Sequence, residues 1–212
     1  MLVSTSHNFV FIHIAKNGGT TLSAFLRPYA VKTPKRTIWT DAVAAIPFRQ
    51  APDKIAYPPH KNARWTRRKL GASFFDNAFT FAFTRNPYDR AVSRYEFVKQ
   101  NRSHHSHKRF LNLSFAEFIS DEIKRNYFTS RTQLSEVSDR RGNIIVSKTY
   151  KLEEFAGALK DICERINVPV PEHLKTRNTS VRKGYREYFT PEIKATFDRI
   201  YQKDLDYFEY QY

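Results

Sequence analysis

The chain has 212 residues, 41% of them hydrophobic, and a formal net charge of +15. Its length fits one domain, expected to span residues 1–212, with a core large enough for a central sheet. The positive charge indicates an anionic partner such as a nucleotide, a nucleic acid, an acidic glycan or a membrane surface, with solubility alone as the simpler alternative. The single cysteine, Cys163, excludes an internal disulfide and fits an apolar helical stripe.

The hydropathy pattern predicts a protein without a membrane span. No apolar run approaches the roughly twenty residues that are needed to cross a bilayer. We expect the first strand to begin by Asn8, which leaves no room for a signal peptide. If full length, the chain is therefore predicted to be soluble and cytoplasmic.

The first notable pattern is a strand, a tight loop and a helix start. The apolar run 9–14 predicts a strand, and residues 16–21 then supply a lysine, two glycines and two threonines. Glycines let backbone N–H groups turn inward, and a helix N-terminus adds partial positive charge. An amphipathic helix that ends at Pro28 follows. The pattern predicts a site for an anion, most simply a phosphate.

A second strand-to-helix pattern follows later in the chain. Residues 30–60 carry five of the ten prolines and are predicted to be mostly loop, and a short basic helix over 63–70 stops at Gly71. Residues 79–84 then predict a strand. We expect a helix over 87–99, with Asn86 as its N-cap and Asp89 in a capping-box-like contact. Arg85 at the strand end and Ser93 two helical turns further on are placed to grip one phosphate together.

The remaining elements complete an alternating pattern. Segment 101–109 predicts an exposed basic loop, whose histidines lack further partners at the spacing of a metal site. Alternating strands and helices predict a parallel sheet with helices on both faces, where ligands bind beyond the carboxyl ends of the strands. The other expected elements are a helix capped by Ser114 and Glu117, a strand over 143–148, an amphipathic helix over 152–166 and a final helix from Thr190.

These two patterns resemble the phosphate motifs of sulfotransferases that use 3′-phosphoadenosine-5′-phosphosulfate (PAPS). The matching residues are 14–21 and 84–93, and the likeness is strongest to the carbohydrate branch, which includes heparan, chondroitin and HNK-type enzymes and bacterial relatives. A weaker supporting pattern runs through 142–146 to the tyrosine-rich ending. The chain has Ala15 where proline is usual and Asn17 where threonine is usual, and it keeps the lysine, the glycines and the hydroxyls.

The resemblance implies a P-loop-like, three-layer α/β fold with a central parallel sheet flanked by helices. It also implies that the first motif binds the 5′-phosphosulfate and that Arg85 and Ser93 bind the 3′-phosphate. The late segment 182–184 resembles a stretch that contacts the 3′-phosphate in cytosolic sulfotransferases, with an ordinary basic loop as the alternative. The predicted donor-binding residues are Lys16, Asn17, Gly18, Gly19, Thr20, Thr21, Arg85, Ser93, Arg182, Lys183 and Gly184.

The resemblance further implies PAPS as donor and PAP as product, without a metal. Lys16 is predicted to stabilise the leaving group, or else only to hold phosphate. The acceptor hydroxyl needs a base, and His60 is the candidate because the resemblance places a histidine before a short helix upstream of Arg85. An exposed loop histidine is the alternative interpretation for His60. Glu153 is a second candidate base, and His13 fits a core histidine better than a base.

Two other classes of protein compete with this interpretation. A kinase or ATPase-like P-loop carries its lysine after the glycines, whereas Lys16 precedes them. A basic nucleic-acid-binding protein would explain the charge, yet most aromatic residues fall at core-facing positions. We therefore predict O-sulfation of a carbohydrate that is acidic or already sulfated, with no nucleic-acid partner. The basic residues expected to suit such a glycan include Arg64, Arg67, Arg68, Lys69 and the loop 102–109.

Overall fold

The computed structural model describes residues 1–46, 48–125, 131–174 and 182–212. The chain divides into two compact units. The sheet unit comprises Met1–Thr84 and Ser135–Arg177, and the helical unit comprises Arg85–Leu134 and Asn178–Tyr212. That a single domain covers the whole chain stays a prediction.

In the described sequence, four α-helices lie between the second and third strands and four more between the third and fourth. The strands are β1 (Leu2–Ser4), β2 (Phe9–Ile12), β3 (Phe79–Thr84) and β4 (Lys148–Lys151). The α-helices are α1 (Gly19–Leu26), α2 (Ile38–Ala45), α3 (Ala63–Leu70), α4 (Ala72–Asn77), α5 (Pro87–Gln100), α6 (His107–Phe110), α7 (Phe115–Lys124), α8 (Gln133–Val137), α9 (Phe155–Arg165) and α10 (Pro191–Tyr207). Short 3-10 helices lie at Arg27–Tyr29, Pro52–Lys54, Leu152–Glu154 and Tyr185–Glu187.

The sheet has the strand order β1-β2-β3-β4, and β2, β3 and β4 run parallel to one another. The predicted α/β class, with a central sheet and flanking helices, is confirmed. The strand expected before the first motif is present as β2, but the sequence analysis did not predict β1, which precedes Asn8 and pairs antiparallel with β2. The hairpin between them turns at Asn8, which has a left-handed φ of 46°. A strand of three residues is too short to show a hydrophobic period.

One face of this sheet is lined with aromatic side chains. Successive strand residues point to opposite faces, so the register that aligns Phe11 with Phe81 places the odd-numbered phenylalanines of β2 and β3 together. Helices α1 and α9 bury their apolar stripes against this face, which is typical of a layered α/β unit. Each fully buried phenylalanine contributes roughly 1.5–3 kcal/mol. Cys163 lies in the same cluster with no exposed surface, as predicted for a core residue.

The last strand begins later than the sequence predicted. We expected a strand over 143–148, but residues 143–145 fold back instead of joining the sheet. The carboxylate of Asp139 accepts the N–H groups of Arg141 and Asn143 at 2.8 and 2.9 Å, and Ser138 forms an antiparallel bridge with Ile144. Residues 143–145 are therefore held by a local turn, and β4 starts only at Lys148.

Two segments that were predicted as loops contain helices. Helix α2 lies within the proline-rich stretch 30–60, where Thr37 forms a capping box with Thr40. The ammonium of Lys69 donates to the carbonyls of Val43 and Ile46 and so stabilises the other end of α2. The basic loop 101–109 likewise contains the start of α6. Helix α2 thus depends on contacts that the hydrophobic pattern does not reveal, and α6 has only four residues.

The helical unit has its own core, built largely from aromatic side chains. Tyr88 of α5 packs against Phe189 and Phe197, with ring centroids 5.3 and 5.2 Å apart. The predicted N-caps Asn86 and Ser114 are confirmed, since each accepts a backbone N–H at the start of its helix. The final helix begins next to Thr190 as expected, and Thr190 caps it in the same way. Among the helices that the structure describes, every one is too short or too polar to span a membrane.

Candidate functional site

The first motif lies at the carboxyl edge of the sheet. Because β2, β3 and β4 are parallel, their last residues end at the same edge. Residues 13–21 follow β2 directly, and the side-chain amide of Asn17 donates to the carbonyl of Phe83 at 2.7 Å. This hydrogen bond is buried and ties the loop to the end of β3. The sequence predicted that the motif lies at this edge. It did not predict that Asn17 would bond to the backbone of Phe83.

The loop turns sharply before α1 begins. Lys16 and Gly18 both adopt left-handed backbone conformations, with φ of 67° and 71°. This conformation is uncommon for a residue other than glycine, so the backbone of Lys16 is strained into position. The first turn of α1 consists of Gly19, Thr20 and Thr21, and its N-terminus carries partial positive charge. Lys16 thus lies three residues before a helix N-terminus that favours anions.

Packing explains why both loop positions are glycines. A Cβ on Gly19 would collide with the imidazole ring of His13, and a Cβ on Gly18 would lie 2.5 Å from a methyl group of Leu152. Gly18 also needs its left-handed φ, which side chains disfavour. The sequence suggested a phosphate cradle, and the structure adds an internal reason for the same residues. The His13 ring and the Leu152 side chain lie so close to the loop backbone that only glycine fits at these two positions.

His13 and His60 lie beside each other. Their ring centroids are 4.9 Å apart, and His60 Nδ1 lies 3.2 Å from the backbone carbonyl oxygen of His13. A carbonyl oxygen only accepts, so this bond places a proton on Nδ1 of His60. In the neutral ring Nε2 is then the basic nitrogen. Burial lowers the pKa of His13 to about 3, aided by the charges of the N-terminus and His60, so His13 is neutral near pH 7.

The second motif belongs to the helical unit. Arg85 donates from Nε to the Asp89 carboxylate at 2.7 Å, and a guanidinium nitrogen of Arg182 bonds to the other oxygen of the same carboxylate. The expectation that Asp89 closes the cap of α5 was wrong, since its carboxylate is occupied by two arginines. Ser93 lies one turn beyond Asp89 on the same helix face and is buried. The structure thus brings Arg85 and Arg182 together.

The charges around Asp89 affect its protonation. Burial raises the pKa of this carboxyl, but the hydrogen bond and charge of Arg182 and those of Arg85 outweigh burial, so the pKa is lowered overall. The side chains of Arg85, Asp89 and Arg182 are only 14, 21 and 18% exposed. Two guanidinium groups and one carboxylate leave this cluster with a net positive charge.

Lys183 and Gly184, the other predicted donor-binding residues of segment 182–184, make contacts with Glu187 instead of Asp89. Lys183 forms an exposed ion pair with Glu187 at 3.6 Å. The backbone N–H of Gly184 donates to the carboxylate of Glu187 at 3.2 Å, which makes this N–H part of a local turn. Glu153, the alternative base, lies exposed in the 3-10 helix Leu152–Glu154.

The basic residues expected to suit a glycan are only partly available to solvent. Lys69 was grouped with them, but its side chain is fully buried and caps α2. Arg67 pairs with Asp76 at 2.5 Å, and Arg64 donates to the carbonyl of Asp139. Arg68 is exposed. The number of basic residues in this segment therefore overstates the positive charge that it offers to a ligand in solution.

The sequence analysis did not identify Gln133. Its side-chain amide accepts the backbone N–H of Arg85 and donates to the backbone carbonyl of the same residue. No spacing or composition signal marks this glutamine, since its contacts come from a distant part of the chain. Asp89 did carry a signal, because an aspartate four residues after an arginine is a common ion-pair spacing.

Comparison with known families assigns the chain. The model of a family described as the sulfotransferase family matches residues 1–211. The chain belongs to the sulfotransferase family. The family predicted from the two motifs is thereby confirmed, and the kinase-like and nucleic-acid-binding alternatives lose their support.

Individual relatives of this sulfotransferase are distant. An uncharacterized protein from Archaeoglobus fulgidus is 31% identical over 124 residues, which cover 57% of this chain and 93% of that protein. The crystal structure of mouse sulfotransferase SULT7A1 complexed with PAP covers 96% of this chain and 86% of its own, with a TM-score of 0.60 and 16% identity. This similarity shows the same fold.

The lowered pKa of Asp89 predicts how the stability of the fold depends on pH in acid. Because the folded state lowers the pKa of Asp89, its ion pairs stabilise fully above its unfolded pKa of about 3.9, and the contribution is lost as the pH falls through the folded pKa. We expect the Asp89→Asn variant to lose less stability than the wild type between about pH 5 and pH 3. Urea unfolding at both pH values measures this, with the exposed Asp206→Asn as control. Equal acid losses in wild type and Asp89→Asn would contradict the assignment.

Proposed function

We propose that this sulfotransferase moves the sulfuryl group of PAPS to a hydroxyl of its acceptor and releases PAP. The observation that carries the proposal is the convergence of Arg85 and Arg182 on Asp89. The resemblance assigned both arginines to the 3′-phosphate, although they lie far apart in the sequence. Their shared position supports a common role.

The residues present fit an anionic donor. One carboxylate among two guanidinium groups leaves positive charge for a phosphate, and arginine forks suit phosphate oxygens. In the sheet unit, Lys16 and the N-terminus of α1 add positive potential. We assign the 5′-phosphosulfate to Lys16, Gly18, Gly19, Thr20 and Thr21, and the 3′-phosphate to Arg85, Ser93 and Arg182, with Lys183 and Gly184 as further contacts. Asn17 then acts mainly by holding the loop.

Lys16 is the proposed catalytic cation. PAPS supplies a sulfuryl group that is already attached to a good leaving group. The protein therefore has to orient the reacting groups and stabilise the negative charge that develops. The strained backbone of Lys16 fixes where its side chain starts, next to the helix N-terminus. A preorganised ammonium stabilises this charge without reorganising during the reaction.

His60 is the proposed general base. Its Nδ1 donates to the carbonyl oxygen of His13, so in the neutral ring Nε2 carries the lone pair that would accept a proton from the acceptor hydroxyl. A fixed tautomer and ring orientation are what this role requires. The left-handed φ of His60, 56°, is a further strained feature in the same loop.

A carbohydrate is the proposed acceptor, as an acidic or already sulfated glycan. The proposal rests on the family branch that the motifs resemble and on the net charge of +15. Exposed cations include Arg68 in the sheet unit and Arg102 and Lys108 in the helical unit. Such residues attract an anionic chain from solution, an effect that salt screens.

Donor binding gives the first test. Calorimetric titration with PAP in the absence of magnesium should show binding, and Arg85→Ala should weaken it about 10- to 100-fold, the value of a charge-assisted hydrogen bond. Arg165→Ala is the matched control, because it also removes an arginine from an ion pair with an aspartate, Asp161. Indifference of the wild type to PAP, with binding of ATP or DNA instead, would overturn the proposal.

The base is tested separately from the donor site. His60→Ala should lower kcat about 10²- to 10⁴-fold, the usual contribution of a general base, while the Kd for PAP stays within about twofold. His7→Ala is the matched control, since His7 Nδ1 also bonds to a backbone carbonyl, that of Ile166. Turnover by His60→Ala equal to that of the wild type would remove His60 as the base.

The acceptor class is tested with a substrate panel. Radiolabelled donor offered with sulfated glycans, neutral glycans, phenols and lipids should label the sulfated glycans best, because their charge complements that of the enzyme. Raising the ionic strength should reduce this preference. Labelling of phenols or lipids without any glycan product would sink the carbohydrate assignment.

A further inference from the structure

Gln133 holds the backbone of Arg85 in a two-point contact. Its Oε1 accepts the N–H of Arg85 at 2.9 Å, and its Nε2 donates to the carbonyl oxygen of Arg85 at 2.7 Å. Gln133 is completely buried. Its amide thus pairs with Arg85 as a neighbouring strand would, one residue after the last residue of β3.

Gln133 is itself fixed by a buried carboxylate. Asp204 of α10 accepts the N–H of Gln133 at 2.6 Å and the N–H of Leu134 at 2.8 Å, one with each oxygen. These groups form the N-terminus of α8, where a carboxylate is favoured. Asp204 has no exposed surface, and Arg90 lies close enough to interact with its charge. A continuous set of contacts therefore runs from α10 through Gln133 to Arg85.

The side chain of Arg85 is held at its other end by Asp89, at 2.6–2.7 Å. Asp89 fixes the guanidinium, but it does not determine where the backbone of Arg85 lies. The Gln133 amide supplies that second constraint. Gln133 thus fixes the backbone from which the Arg85 side chain extends, and Asp89 fixes the guanidinium at its end.

We propose that Gln133 is a positioning residue for the contact of Arg85 with the 3′-phosphate, and that Asp204 keeps Gln133 in place. This inference rests on the proposed function, in which Arg85 binds that phosphate. Both of the hydrogen bonds described above run from the Gln133 amide to the backbone of Arg85. Its effect on binding should therefore fall on ligands that Arg85 reaches. A ligand without a 3′-phosphate gains nothing from Gln133.

The test compares PAP with adenosine 5′-phosphosulfate, which lacks the 3′-phosphate. Gln133→Glu keeps the size of the side chain but replaces the Nε2 donor with an acceptor that faces the Arg85 carbonyl. We expect its affinity for PAP to fall about fivefold to tenfold, as for the loss of one hydrogen bond, with an unchanged affinity for adenosine 5′-phosphosulfate. Gln202→Glu is the matched control, an exposed glutamine of α10 in the same unit.

A double variant separates positioning from general damage. In the Arg85→Ala background, Gln133→Glu should cause no further loss of PAP affinity, because the residue that it positions has no side chain to bind with. Urea unfolding confirms that each variant is folded, and Gln133→Met serves as a neutral second variant of similar length. Additive losses, or equal losses for both ligands, would overturn the positioning role.

The outcomes distinguish this inference from the proposed function. If Arg85→Ala binds PAP like the wild type, the assignment of the 3′-phosphate fails, and the role of Gln133 fails with it. If Arg85→Ala weakens PAP binding but folded Gln133→Glu and Gln133→Met bind both ligands like the wild type, only the positioning role is wrong.

Discussion

The buried hydrogen bond from Asn17 to the carbonyl of Phe83 is the contact on which the first half of the site depends. It joins the loop after β2 to the end of β3, and it exists because parallel pairing brings both strand ends to one edge. Leu152, directly after β4, packs against Gly18 at the same edge. Three strand ends therefore determine where Lys16 lies, and an error in the pairing of any one of them would move it.

Several of the basic residues that produce the high net charge bond to other groups of the protein and are therefore less available to a ligand. Asp89 balances part of the charge of Arg85 and Arg182, since two guanidinium groups with little exposure repel each other without an anion between them. Lys69 is a cation with a purely structural use, because its ammonium satisfies the last carbonyls of α2. A count of basic residues thus indicates an anionic partner but does not show which cations meet it.

Chemistry and packing place demands on the same residues of the first motif. Leu152 and the ring of His13 leave no room for a Cβ at Gly18 and Gly19, the two glycines that are proposed to approach a phosphate closely. His13 packs against the loop through its ring and holds His60 through its carbonyl oxygen. Strained left-handed conformations at Lys16 and His60 accompany these contacts, as is common where a protein fixes functional groups.

The sequence by itself determined the family, the α/β class and the two motifs, because these depend on local patterns: apolar strands, loop glycines, and N-caps such as Asn86, Ser114 and Thr190. It also placed the first motif at the sheet edge, since parallel strands end together. It could not show β1 or α2, whose few residues carry no clear hydrophobic period, nor the late start of β4, which follows from the turn around Asp139.

Only the tertiary structure decided the partners of the site residues. The ion pair of Arg182 with Asp89, the hydrogen bond of His60 with His13 and the contact of Gln133 with Arg85 all join residues far apart in the sequence. A side-chain amide or carboxylate has many possible partners within a chain, and local sequence does not select among them. Folding of the whole unit makes that selection, because burial requires each polar group to find the partner that its surroundings supply.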